Sequence, residues 1–70
     1  MKFILEFDDG YEIKILGKFN TDKEARAAMV ADLQEKRIQP YYYRSWKVDS
    51  VTECIDYGSH YNFYYIRKED

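Results

Sequence analysis

Thr21-Asp22-Lys23-Glu24-Ala25-Arg26-Ala27-Ala28-Met29-Val30-Ala31-Asp32-Leu33-Gln34-Glu35-Lys36-Arg37 carries the clearest periodicity in this 70-residue chain. Ala25, Met29 and Leu33 recur every fourth position with Val30 beside them. That makes a narrow apolar stripe, and Ala28 permits close approach of whatever packs there. Thr21 and Glu24 fit a capping box, in which the threonine accepts from a first-turn amide and the glutamate reaches back. Asp22 and Glu24 stand in the first turn and Lys36 and Arg37 in the last, as the helix dipole favours. Gln39-Pro40 stops the pattern, because the residue before a proline disfavours helical geometry. The spacing predicts one helix from Asp22 to Arg37.

Everything on either side reads as strand. Phe3, Leu5 and Phe7 alternate with Lys2, Glu6 and Asp8, and Tyr11, Ile13 and Ile15 alternate with Glu12 and Lys14. Asp8-Asp9-Gly10 between them is a turn. A two-residue Asp9-Gly10 turn would mix the faces. A three-residue loop, with Gly10 left-handed as a bulge, sets Phe7 opposite Tyr11, Leu5 opposite Ile13 and Phe3 opposite Ile15 on one apolar face. The second register is the expected one, at the cost of Glu6 facing Glu12. Gly17 to Asn20 reads as a connector.

Beyond Pro40 the residues suit strands. Arg44 to Val48 alternates, as does Val51 to Ile55, and Asp49-Ser50 breaks the parity as either a turn or a bulge in one long strand. Tyr57-Gly58-Ser59-His60 is a hairpin signal, and Tyr61 to Arg67 is the last strand. The layout is α+β, with a single helix packed on a mostly antiparallel sheet in the order β-β-α-β-(β)-β.

Size and composition restrict the function classes. The chain is one domain, close to the lower limit for a core without staples. At 46% apolar and 34% charged it is of the ordered globular type. A net charge of −2 is too small for a nucleic-acid glove or a DNA mimic. Cys54 is the one cysteine, so no internal disulfide forms. No apolar run reaches the ~18–20 residues of a membrane span. Glu6, Asp8 and Asp9 cut the N-terminal apolar stretch too short for a signal-peptide core. A reducing, cytoplasmic setting without membrane attachment is expected.

Chemistry-bearing clusters are sparse. Cys54 and His60 can form a thiol–imidazole pair in principle, but Cys54 falls mid-strand, where a thiol serves as a small apolar filler, and His60 reads as a turn residue. Zinc needs four closely spaced ligands, which two residues do not supply. Asp8, Asp9 and Glu12 are a turn with its flanks. Asp49, Glu53 and Asp56 alternate with Val51 and Ile55 as the solvent side of a strand. Acid–base catalysis needs two carboxylates at fixed separation, one of them shielded. Gly10, Gly17 and Gly58 are isolated and make no phosphate loop. No catalytic residue, cofactor site or metal site is expected.

Aromatic residues carry the functional signal. Tyr41, Tyr42, Tyr43, Trp46, Tyr57, Tyr61, Phe63, Tyr64 and Tyr65 crowd the second half, each ring worth roughly 150–250 Å² when buried. One slim helix covers one sheet face, so alternation leaves rings outside. Four such tyrosines exceed the ~300–600 Å² of a typical monomer's largest apolar patch. Tyrosine favours protein interfaces. Rings beside Arg44, Lys47, Arg67 and Lys68 also suit stacking of single-stranded bases, although Asp49, Glu53 and Asp56 offset most of that charge. The expected interaction surface is Tyr41, Tyr43, Arg44, Lys47, Tyr61, Tyr65 and Arg67. Of these, Tyr41, Tyr43, Tyr61 and Tyr65 are assigned to the face away from the helix. Leu33 and Ile55 are assigned to the core, and Trp46 to the helix side.

Three resemblances bear on this picture. Ile15-Leu16-Gly17-Lys18-Phe19-Asn20-Thr21 with Glu24-Ala25 resembles the first strand and helix start of SPOR domains, which bind denuded peptidoglycan; the second half of that fold is absent here. Asp8-Asp9-Gly10-Tyr11 leading to a Thr-capped helix resembles HicB-type antitoxins, without their Pro- and Gly-containing segment. In length and style the chain resembles small accessory proteins of Gram-positive prophages and mobile elements. That resemblance implies action by binding, and several groups of phage inhibitors of host defence share this size. The expectation is a non-enzymatic domain that contacts another protein, or itself as a homodimer, through an aromatic sheet face or edge strand. The alternative is a single-stranded nucleic-acid-binding module.

Overall fold

The computed structural model describes residues 1–59 and 61–70. Its elements are β1 (Lys2–Asp8), β2 (Ile13–Phe19), α1 (Asp22–Glu35), β3 (Arg44–Lys47), β4 (Thr52–Asp56) and β5 (Phe63–Glu69). The five strands form one antiparallel sheet in the order β2-β1-β5-β4-β3, with α1 against one face. This is the α+β class the sequence predicts. His60, read as a turn residue and as partner of Cys54, lies outside the described residues.

At its start α1 follows the sequence signals. The Thr21 hydroxyl accepts from the Glu24 amide at 3.1 Å and donates to the Glu24 carboxylate at 3.0 Å. Ala25, Met29 and Leu33 are its buried stripe. The end differs: the helix stops at Glu35, with Lys36 as the cap and Arg37 already outside. The Arg37 amide donates to the Gln34 carbonyl and the Ile38 amide to that of Leu33, the two bonds of a Schellman motif. Arg37 takes the left-handed position at φ 59°. Ile38 then packs onto the core, so the helix is closed before Gln39-Pro40 is reached.

The first hairpin corrects the expected register. Phe3 faces Phe19 and Leu5 faces Gly17; after an irregularity, Glu6 faces Ile15 and Asp8 faces Ile13. The loop is longer than three residues because the Asp9 carboxylate accepts from the amides of Tyr11 and Glu12, at 2.8 and 2.9 Å. That takes Tyr11 out of the strand. Leu16 is the extra residue that reverses parity, and Gly17 to Phe19 is strand, not connector. A Cβ at Gly17 would meet the Phe19 ring at 2.9 Å. The glycine therefore makes room for Phe19 to pack against the core. Ile13 and Ile15 point to the other face, 56% and 60% exposed. Gly10 does take a positive φ of 92°.

The stretch left open as one bulged strand or two is two strands. Asp49 accepts from the amides of Val51 and Thr52 at 2.9 and 2.8 Å and turns the chain between β3 and β4. Ile55, in the core, pairs with Ser45. Neighbouring Trp46, paired with Cys54, therefore lies on the face away from the helix, which corrects its expected place on the helix side. There its ring meets Phe63 edge-on at 6.3 Å. The last strand begins at Phe63, two residues later than expected.

The core is one cluster under the helix: Leu5, Ala25, Met29, Leu33, Ile55, Tyr57, Tyr64 and Ile66. Leu33 and Ile55 sit in it as expected. α1 lies over β1, β2 and β5, and its backbone stays clear of β3 and β4. No helix among the described residues is long and apolar enough to cross a membrane.

Candidate functional site

Antiparallel pairing brings one end of every strand to the same edge of the sheet. Asp8 faces Phe63, Ile55 faces Tyr64 and Arg44 faces Asp56, so residues 9–12, residues 57–59 with 61–62, and the run into β3 emerge side by side. Tyr11, Tyr61 and Tyr41 stand on these three segments at 98%, 80% and 90% exposure. Tyr43, half exposed, continues the set toward β3. The loops also contribute Gly10, Gly58, Ser59 and Asn62. Their backbones are tied down by local bonds: the Asp8 carboxylate holds the Gly10 amide at 2.9 Å, Asp56 holds that of Gly58 at 2.8 Å, and the Ser59 hydroxyl accepts from Asn62 at 3.1 Å. Tyr41 lies against Gly58, where a Cβ would come within 3.4 Å of its side chain. Locally bonded backbone thus presents exposed rings that have two rotatable side-chain bonds each, a chemistry shared with antibody paratopes.

The expected surface residues divide among three places. Tyr41 and Tyr61 are at this loop end, off the sheet. Tyr43, assigned to the far face, lies instead on the helix side, beside Met29, Val30 and Ile55. Lys47 shares that side as the last residue of β3. Arg44, Tyr65 and Arg67 are on the open face. Tyr65 is half-buried there, its hydroxyl donating to Asp8 at 3.4 Å. Burial, with Cys54 and Asp8 beside it, pushes that hydroxyl above the usual tyrosine range. Arg67 is held between Glu6 at 3.7 Å and Glu69 at 3.6 Å. Arg44 reaches Asp56 at 3.4 Å.

The open face is thus a mixed surface: Trp46, Phe63 and Tyr65 toward β3, and ion pairs joining Lys18, Glu69, Arg67 and Glu6 toward β2. Cys54 is buried within it, and burial pushes its thiol up, away from the nucleophilic thiolate. Asp9, Asp49 and Glu53 hold structure together. Loop amides from Glu12 and Tyr11 draw Asp9 below the ordinary range, and the Val51 amide does so for Asp49. Glu53 pairs with Arg26.

Tyr11 was not singled out from sequence as a surface residue. Its strand-like alternation with Ile13 hid the loop, and the signal that would have found it is Asp9, two residues before, whose side chain mimics a turn.

The chain has no significant match among protein-family models, curated proteins or solved structures. Its surface is therefore read on its own chemistry.

Proposed function

We propose that this domain acts by contact, binding another protein through the tyrosine-rich end of its sheet, with no catalytic step. One observation supports this above the others: Tyr11, Tyr41 and Tyr61 come from three separate loops and are almost wholly exposed on one edge. Exposed tyrosines with small polar neighbours on locally bonded backbone give large contact area at low entropic cost. In size and style the chain resembles prophage and mobile-element accessory proteins, and an accessory or inhibitory role in the cytoplasm agrees with a buried free thiol. The partner is a different protein or a second copy of this chain.

The nucleic-acid reading draws on Trp46, Phe63 and Tyr65 sharing the open face. Against it, Asp8, Glu6 and Asp56 share that face too, and few phosphates can be neutralised there. Two measurements separate the readings. Replacing Tyr11, Tyr41 and Tyr61 together by serine should leave the melting temperature nearly unchanged while abolishing capture of the native partner and any dimer seen by light scattering. Capture unaffected by the triple change would sink the proposal. Tight, steeply salt-dependent binding of a single-stranded oligonucleotide would replace it with the alternative.

A further inference from the structure

The β3 edge offers something the loop end does not. The Val48 amide donates to the Thr52 carbonyl at 3.0 Å. Hydrogen-bonded pairs in an antiparallel ladder recur every second residue. Trp46 and Arg44 therefore bond inward to Cys54 and Asp56, and Ser45 and Lys47 turn their N–H and C=O groups outward. The β4–β5 side agrees, since the Lys68 amide donates to the Val51 carbonyl. These outward groups belong to a free sheet edge of Arg44–Lys47, exposed at every residue.

Beside this edge, on the helix side, lies a hollow of about 320 Å³. It exists because α1 crosses over β1, β2 and β5 and leaves the β3 corner uncovered. Met29, Val30, Tyr43 and Ile55 line it, and Ser45, paired with core Ile55, contributes only a hydroxymethyl to its floor. Arg26, ion-paired with Asp22 and Glu53, is its charged side chain; Arg44 borders it from β3 and turns its guanidinium to Asp56 on the open face. A second hollow, sharing Val30 and Tyr43, continues it toward Ile38 and Pro40 with no charged residue at all. Arg44 and Lys47 are the exposed charges along the edge itself, and the carboxylates across from them, Asp56 and Glu53, lie behind it on β4 at 2% and 24% side-chain exposure.

We infer that the β3 edge accepts an extended acidic peptide segment of a partner protein as a sixth strand, with an apolar side chain seated over Ser45 in the hollow beside α1. This rests on the reading of the domain as a protein-binding module and specifies a mode of contact for it. Strand addition draws affinity from main-chain bonds and specificity from alternate side chains entering pockets. In the added strand, the residue opposite Ser45 points into the hollow, and its neighbours two positions away face Tyr43 and Lys47. An aliphatic side chain suits the first place and a carboxylate suits the place opposite Lys47. The intervening residues meet Arg44 and Trp46 on the open face, where a carboxylate and an apolar group fit. Two cations on a four-residue edge disfavour its pairing with another copy of itself and favour an acidic strand. The opposite edge is worse suited: β2 is interrupted at Leu16, and Lys14 and Lys18 stand along it.

The test is selection of a displayed library of random octapeptides on the intact protein, with Ser45→Pro as counter-target. The proline removes an outward N–H that the sheet itself does not use, and an edge strand tolerates it. Ser45→Leu is the second variant; it fills the hollow and leaves the edge amides intact. Enriched peptides should alternate apolar residues with Asp or Glu, bind about tenfold more weakly to either variant, and slow hydrogen exchange at the Ser45 and Lys47 amides. Lys47→Glu should reverse the preference from acidic to basic peptides. Peptides binding Ser45→Pro and Ser45→Leu as well as the parent would overturn strand addition. If such peptides are lost on the Tyr11, Tyr41 and Tyr61 triple variant, the loop-end reading stands without it. No enrichment over the counter-target, or protection of the edge amides by dimerisation of the chain alone, overturns it as well.

Discussion

Tyr64 is fully buried beneath the helix, and its hydroxyl donates to Asp32 at 2.5 Å. Lys36 approaches the same Asp32 oxygen at 2.8 Å and lies 3.4 Å from the centre of the Phe7 ring. Burial, with Asp32 beside it, pushes the Tyr64 hydroxyl far above its ordinary range, so it remains a donor at all working pH. Burial opposes charge on Asp32, but bonds from Lys36 and Tyr64 outweigh it and draw the carboxyl below its usual value. Tyr64→Phe removes one charge-assisted bond without emptying the ring site, and should cost about 1–2 kcal/mol by urea melt. A carboxyl with a lowered folded pKa adds stability above its unfolded value near pH ~4 and loses it as pH falls through the folded value. Asp32→Asn should therefore reduce, between about pH 4 and 2, the slope of stability against pH. Some slope should survive, because loop amides draw Asp9 and Asp49 down in the same direction. Neither the triad nor the burial of Tyr64 was legible in the sequence. Tyr64 and Tyr65 are neighbours of one type, and only strand parity, set by partners far along the chain, separates core ring from open-face ring.

Elements were legible where their signals are local. Thr21 with Glu24 started the helix where the structure starts it, and Ala25, Met29 and Leu33 named its buried stripe. Its end was misplaced because Arg37 occupies a position that glycine usually fills. An L residue there carries a left-handed strain that glycine lacks. Arg37→Gly should raise stability by about 0.5–1 kcal/mol, measured as an increased thermal midpoint. The first hairpin failed differently. Matching apolar residues across the turn assumed that every strand apolar faces the core, whereas side-chain bonds from Asp9 lengthened the loop and a single irregularity at Leu16 reversed the faces. The positive φ at Gly10 survives that correction. A Cβ there would have only the Tyr61 carbonyl oxygen nearby, at 3.8 Å, so its cost is conformational and not steric. Gly10→Val should lose about 1–3 kcal/mol; an unchanged melting curve would mean that the loop relaxes freely around a branched residue.

For the whole molecule, one small core must support a surface rich in rings. A chain of this length has a total stability of about 4–10 kcal/mol. Ile55 is fully buried between the helix and the Ser45 floor of the β3 corner, and Ile55→Ala should cost about 2–5 kcal/mol, enough to unfold much of the population. Trp46, by contrast, is 42% exposed on the open face and touches Phe63 only edge-on. Trp46→Ser removes part of a surface contact and should cost about 1 kcal/mol or less. Tyr41→Ser and Tyr61→Ser should cost less still, since almost nothing covers those rings. The ordering Ile55, then Trp46, then Tyr41 and Tyr61 is measurable in one denaturant series. Binding should follow the reverse logic, because an exposed ring contributes when a partner covers it and excludes water around it. Partner capture measured on the same variants should fall most for Tyr41→Ser and Tyr61→Ser, which remain folded. Loss of structure in those two would place the tyrosines in the stability of the fold, and the loop end would then have no claim to be the contact surface.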